Sequence, residues 1–212
     1  MSAFARFRRC LLFCLAIAIT SAARSATPAG PDERDRKVIE SLLLHLVADA
    51  KFDVTRVPTN GASIVLHVRT PEKTGFLTAG QMHSDIGEHK LPTDAETDLR
   101  RRNTPADAKP GSYDSVTASY TNLAFGPAIV VTDLTETWKG EFGVARANSF
   151  AEQFPQARGW LELYLPGYSD DGTHAIVRGP VGPWAHAAML TAELEKVGEK
   201  WTVKWYHIAR FA

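Results

Sequence analysis

The chain has 212 residues, 24 basic against 24 acidic, with 44% apolar and 23% charged side chains. At about 150 residues per domain this is one domain, or a domain with an appendage, and the composition excludes collagen, a disordered chain and a disulfide-stapled mini-scaffold. No basic excess is present to hold nucleic acid by counterion release, and no polybasic block to hold an anionic membrane.

Arg6, Arg8 and Arg9 precede an apolar run at 11–19, and small residues follow at Ser21, Ala22, Ala23, Ser25 and Ala26. This is the order of a cleavable secretory signal, and the run is too short to span a bilayer. The expected layout is a signal peptide at 1–26 and a single α+β domain at 27–212, exported to the periplasm or the cell exterior with no stable membrane anchor after cleavage. Cleavage would take away Arg6, Arg8, Arg9 and Arg24, leaving four more acidic than basic groups. It would also take Cys10 and Cys14, the only cysteines, so no disulfide, thiol chemistry or cysteine-ligated metal is expected in the body.

Beyond the signal, Pro31 and the acids Asp32 and Glu33 open a helix whose apolar residues Val38, Ile39, Leu42, Leu43, Leu46 and Val47 recur at helical spacing. Residues 63–69 read as a strand with Ile64, Leu66 and Val68 on one side and Val65 and His67 on the other. A short helix is expected near 78–86, closed by Gly87. Thr93 and Glu96 have the spacing of a capping box for a helix that ends at Asn103 and docks through Leu99, with Arg100, Arg101 and Arg102 as a solvated face. Residues 104–122 are rich in Pro, Gly, Ser and Asp and read as a long loop. A strand at 128–132 and a helical fragment at 148–154 follow. The last fifty residues alternate as strands near 160–165, 173–178, 187–196 and 201–211. In the closing strand Trp201, Val203, Trp205, His207, Ala209 and Phe211 fall on every second position and so on one face. The expected architecture is α+β: N-terminal helices on one face of a C-terminal antiparallel sheet of about four or more strands.

The run Tyr164-Leu165-Pro166-Gly167-Tyr168-Ser169, then Gly182-Pro183, His186 and Trp201-Thr202-Val203-Lys204-Trp205, resembles a group of exported bacterial proteins of unknown function. These share a Leu-Pro-Gly-Tyr-Ser, Gly-Pro, His and Trp-x-Val-x-Trp pattern near the C-terminus. The likeness implies export and brings no assigned activity. Trp184 departs from it, since members carry a small residue there. At fold level the helices and closing tryptophan strand also resemble a cystatin-like roll, by analogy alone.

No Gly-x-Ser-x-Gly elbow, phosphate loop, dinucleotide fingerprint or EF-hand loop occurs, so no cofactor is expected and the pattern leans away from an enzyme. The leading expectation is a non-catalytic envelope protein that binds a small molecule, an envelope component or a protein through loops at one sheet end. Tyr168, Asp170 and Asp171 lie in one such loop, and Trp184 and His186 in another. The alternative is a cysteine-independent hydrolase using His83, Asp85 and His89, with or without a metal; two imidazoles six residues apart across Gly87 lack the helical spacing of a His-Glu-x-x-His site. A structural envelope protein is the third expectation.

Overall fold

The structure is a computed structural model that describes residues 30–52, 54, 61–68, 73–74, 77–109, 112, 114–138, 143–183 and 188–210. In chain order it contains α1 (Glu33–Ala48), β1 (Ser63–His67), β2 (Lys73–Thr74), α2 (Ala79–Ser84), α3 (Thr93–Asn103), β3 (Ser115–Val116), β4 (Ile129–Thr132), α4 (Gly143–Gln153), β5 (Ala157–Leu161), β6 (Gly167–Tyr168), β7 (His174–Gly182), β8 (Ala188–Val197) and β9 (Lys200–Arg210). The main sheet runs β4-β1-β5-β7-β8-β9, with β6 on the outer part of β7, while β2 and β3 form a separate antiparallel pair. The fold is α+β as expected, but its sheet is mixed. β1 lies parallel to both β4 and β5, and only the half from β5 through β9 is antiparallel. The antiparallel hairpins are local in sequence and visible as alternation, whereas the parallel pairings join segments that no tight turn connects.

The expectation of helices on a single face is corrected. Strand alternation sends Ile64, Leu66, Val177, Leu190, Ala192 and Leu194 to one side, where they pack with Val38, Ile39, Leu42, Leu43 and Leu46 of α1. Ile176 faces the other way and packs with Met82 of α2 and Ala95 and Leu99 of α3. Val65 also faces that second side, packing with Phe150 of α4 and Leu134. The sheet is therefore covered on both faces, which is why most residues of β7 and the first seven of β8 are buried.

Strict alternation in the closing strand also fails. Glu193 pairs with Trp205 while Leu194 pairs with Val203, so Lys204 is one extra residue on β9. A bulge of this kind reverses the facing of everything beyond it. Val203 joins Tyr206 and Ile208 on the α1 side, and Trp201 is buried there too. Trp205 and His207 fall in register with Glu193 and Thr191 on the opposite side.

Helix ends differ from expectation in an instructive way. α3 has Pro92 as its N-cap and no side-chain cap, so Thr93 and Glu96 do not form a capping box; Glu96 instead contacts His83. A capping box does exist at α1. Asp32 accepts the Asp35 N–H at 2.9 Å, and the Asp35 carboxylate accepts the Asp32 N–H at 3.0 Å. The same Asp35 carboxylate, with no solvent exposure, receives Arg102 through both terminal nitrogens at 2.8 and 2.9 Å and the Tyr168 hydroxyl at 2.8 Å. Arg102 also donates to the Pro166 carbonyl at 2.6 Å. The arginine triplet is thus not one solvated face: Arg101 pairs with Asp98 near the surface, and Arg102 is drawn inward. The long polar segment after α3 is likewise tied down, by Ala118 N–H to Leu163 carbonyl at 2.9 Å and by Tyr120 hydroxyl to Tyr164 carbonyl at 2.8 Å.

Removing one partner of a buried ion pair strands the other charge, at a cost of about 3–5 kcal/mol. Asp35→Ala is therefore expected to lower the unfolding free energy by about that much. Replacing Asp35 and Arg102 together by apolar residues should cost less than Asp35→Ala alone. Denaturant unfolding of the single and double variants checks both statements, and an Asp35→Ala change under about 1 kcal/mol would contradict them.

Candidate functional site

The loop after β6 is held by the body of the protein. Tyr168 is buried, with the Arg34 guanidinium carbon 3.5 Å from its ring centroid and its N–H donated to Asp98 at 3.0 Å. Burial, helped by the neighbouring Asp35 carboxylate, pushes its phenol well above the ordinary range. Asp170 donates its backbone N–H to Asp94 at 2.9 Å. Asp171 accepts from the Ser169 hydroxyl at 2.6 Å and from the Thr173 N–H and hydroxyl at 2.9 and 2.8 Å. These bonds, the Ser169 bond first, hold its carboxyl down at about 2. Gly172, at φ +72°, closes this turn in the left-handed region that suits glycine. Trp184 and His186, the other expected binding pair, lie outside the described residues.

His83, Asp85 and His89 each have a different partner. His83 is exposed and its Nε2 lies 3.0 Å from the buried Glu96 carboxylate, which Arg100 also approaches at 3.4 Å. Asp85 accepts from Arg178 at 2.5 Å, and the same guanidinium donates to Thr191 Oγ1 at 2.5 Å. Burial draws the Arg178 guanidinium below its ordinary value, with Asp85 acting in opposition. His89 stacks on Trp205 with ring centroids 4.2 Å apart. Among the described residues no three histidine, cysteine or carboxylate groups are placed to hold a metal ion.

Next along this face, the buried Glu193 carboxylate accepts from Trp205 Nε1 at 2.6 Å and Lys204 Nζ at 3.1 Å, with His174 Nδ1 at 2.9 Å. The bulge makes this possible by turning both Lys204 and Trp205 toward Glu193. The buried charged groups described on this side, Asp85, Glu96, Arg178 and Glu193, each have partners.

A different situation holds at the parallel end. His67 is the last residue of β1, Trp138 lies in the turn at 135–138 after β4, and Trp160 sits in β5. The centroids of Trp138 and Trp160 are 4.7 Å apart, and His67 lies edge-on at 5.0 and 6.2 Å from them. An extra residue in β5, between the Ser63–Ala157 and Val65–Trp160 pairs, turns both Ala157 and Trp160 toward α4. Trp160 lies flat against Gly182, where an added Cβ would fall 2.6 Å from its ring atoms. Gly182 is the end of β7 and precedes Pro183 through a cis bond; residues 184–187 follow directly in sequence.

His67 Nδ1 accepts the Leu134 N–H at 3.1 Å, which places the proton of a neutral ring on Nε2. The Arg146 guanidinium stands 5.0 Å from the Trp138 ring centroid. The indole nitrogens of Trp138 and Trp160 are both buried, and neither has a hydrogen-bond partner among the described residues. Sequence reasoning missed this cluster because its members are 71 and 22 residues apart. The one available signal was His67 on the side of β1 opposite Ile64 and Leu66.

Compared with protein-family models, curated proteins and solved structures, the chain matches none.

Because Asp171 is held at about 2 in the folded protein against an ordinary 3.8, its contribution to stability is present above the ordinary value and is lost as pH falls toward 2. An NMR titration of its carboxyl carbon should give a midpoint near 2, and Ser169→Ala should move that midpoint upward. A wild-type midpoint at the ordinary value would show that the turn does not form in solution.

Proposed function

We propose that this protein is an exported, non-catalytic domain that binds a small molecule at the aromatic cluster of His67, Trp138 and Trp160. The observation that supports the reading most is the pair of buried, unpartnered indole donors. A buried donor without an acceptor costs about 1–3 kcal/mol, and native proteins leave few of them. A ligand bearing an acceptor would remove that cost on binding. Binding sites also combine apolar and aromatic residues with a few polar groups, and the contacts among His67, Trp138 and Trp160 bring those residue types together.

Export rests on the arginine-rich and apolar opening of the chain and on the sequence resemblance described above. Among the described residues no helix is long and apolar enough to cross a membrane. The likeness of the β7–β9 region to a cystatin-like roll belongs to the same proposal. The hydrolase alternative draws no support from geometry, because His83, Asp85 and His89 are engaged in three separate contacts.

The test is an ¹H–¹⁵N spectrum of the protein in which the Trp138 and Trp160 Nε1–H signals are assigned by Trp138→Phe and Trp160→Phe. Adding pools of small polar and aromatic compounds is expected to shift those two signals together for at least one pool. Pools that move other indole signals, or none, would count against the placement.

A further inference from the structure

The main sheet has two edges, and only one of them is guarded. β9 carries Lys200, Lys204 and Arg210, all exposed, and the bulge at Lys204 breaks its regular spacing. Charged side chains and bulges of this kind keep an edge strand from pairing with another chain. β4, at the opposite edge, reads Ile129-Val130-Val131-Thr132, without charge or proline, and runs beside β1 in unbroken register. The Val130 side chain is exposed.

The bonding of β4 to β1 leaves a defined set of backbone groups at the free edge. The Ala128 and Thr132 carbonyls accept from the Ile64 and Val68 N–H groups at 2.9 and 3.0 Å, so residues 128, 130 and 132 turn their polar groups toward β1. Ile129 and Val131 turn theirs away. The Gly126 carbonyl takes the Ile129 N–H at 3.0 Å, which leaves the Ile129 carbonyl and both the N–H and the carbonyl of Val131. Among the described residues nothing else bonds to these groups.

We propose that this edge is the interface of a symmetric dimer, in which β4 pairs antiparallel with β4 of a second copy about a two-fold axis at Val131. Val131 then donates to, and accepts from, Val131 of the second copy, which is the hydrogen-bonded pair of an antiparallel ladder. Val130 faces Thr132 of the second copy, a β-branched pair on the exposed side. Asp133 falls opposite Ile129, so no like charges meet. A second copy fits because the edge presents a donor and an acceptor to its own two-fold image. With β9 guarded, pairing closes at two copies and does not run on as a filament. The interface is separate from the aromatic cluster and does not depend on a ligand there.

Sedimentation of the purified protein, in the form its cells accumulate, should show monomer giving way to dimer between about 10 μM and about 1 mM, the range of a small interface. Val130→Lys puts a charge on the exposed edge and should weaken the dimer about tenfold or more. Val131→Pro removes an outward N–H, which an edge strand tolerates, and should abolish the dimer. Thr202→Lys on the guarded edge should leave it unchanged. Amide exchange needs no variant: protection of Val131 should rise about tenfold or more with concentration over that range, while Val130, bonded to β1, is protected throughout. If Val131→Pro fails to fold, Val130→Lys and the exchange measurement decide. A monomer mass across the whole range, a dimer that persists unweakened in Val130→Lys, loss of the dimer in Thr202→Lys, or Val131 exchange independent of concentration each overturns the proposal.

Discussion

One carboxylate ties the two helical layers of this fold together. Asp35 lies in the first turn of α1, yet it receives the Asp32 N–H, both terminal nitrogens of Arg102 from α3, and the hydroxyl of Tyr168 from β6. Its charge is fully buried, which is tolerable only because four donors surround it. Helix α1 belongs to one face of the sheet and α3 to the other, so this junction fixes how they are placed around the sheet's edge. Gly167 permits the approach: a Cβ there would overlap the Ala95 carbonyl oxygen and the Leu99 backbone nitrogen. A side chain at that position would hold β6 off α3 and pull Tyr168 away from Asp35.

Polar groups inside this protein fall into two kinds, and the difference carries the functional reading. Under α2, Asp85, Arg178 and Thr191 bond to one another, and Glu193 gathers Trp205, Lys204 and His174. Matched sets of that sort hold strands and helices in register and leave nothing over for a ligand. At the parallel end, Trp138 and Trp160 keep their N–H groups buried without acceptors. A fold that satisfies charged groups so thoroughly in one half makes two neighbouring unsatisfied donors in the other half a departure worth a functional explanation.

Several elements were legible because their signals are local. The apolar spacing of α1, the docking of α3 through Leu99, the alternation of β1 and the inward set Ala188, Leu190, Ala192 and Leu194 all follow from side-chain period, and all are found. The two bulges were not legible. Each is a single extra residue in a ladder, defined by the partner strand and not by the strand that carries it. One moves Trp205 and His207 away from Trp201; the other turns Trp160 toward α4. Arg102 looked like its two neighbours in sequence, and only the position of Asp35 from another helix separates it from them.

By itself the sequence determined the main helices and the longer strands, and which side of most strands is apolar, because those properties depend on periods of a few residues; the two-residue strands β2, β3 and β6 were not legible, and β5 lies at Ala157–Leu161, earlier than the strand expected near 160–165. It also carries the arginine-rich, apolar opening on which the proposed export rests. Tertiary structure alone decided that the helices divide between two faces, that β1 lies between two parallel partners, and that His67, Trp138 and Trp160 meet. Those outcomes depend on contacts between residues tens of positions apart, where the chain's local preferences are silent and burial, register and hydrogen-bond satisfaction choose among the arrangements.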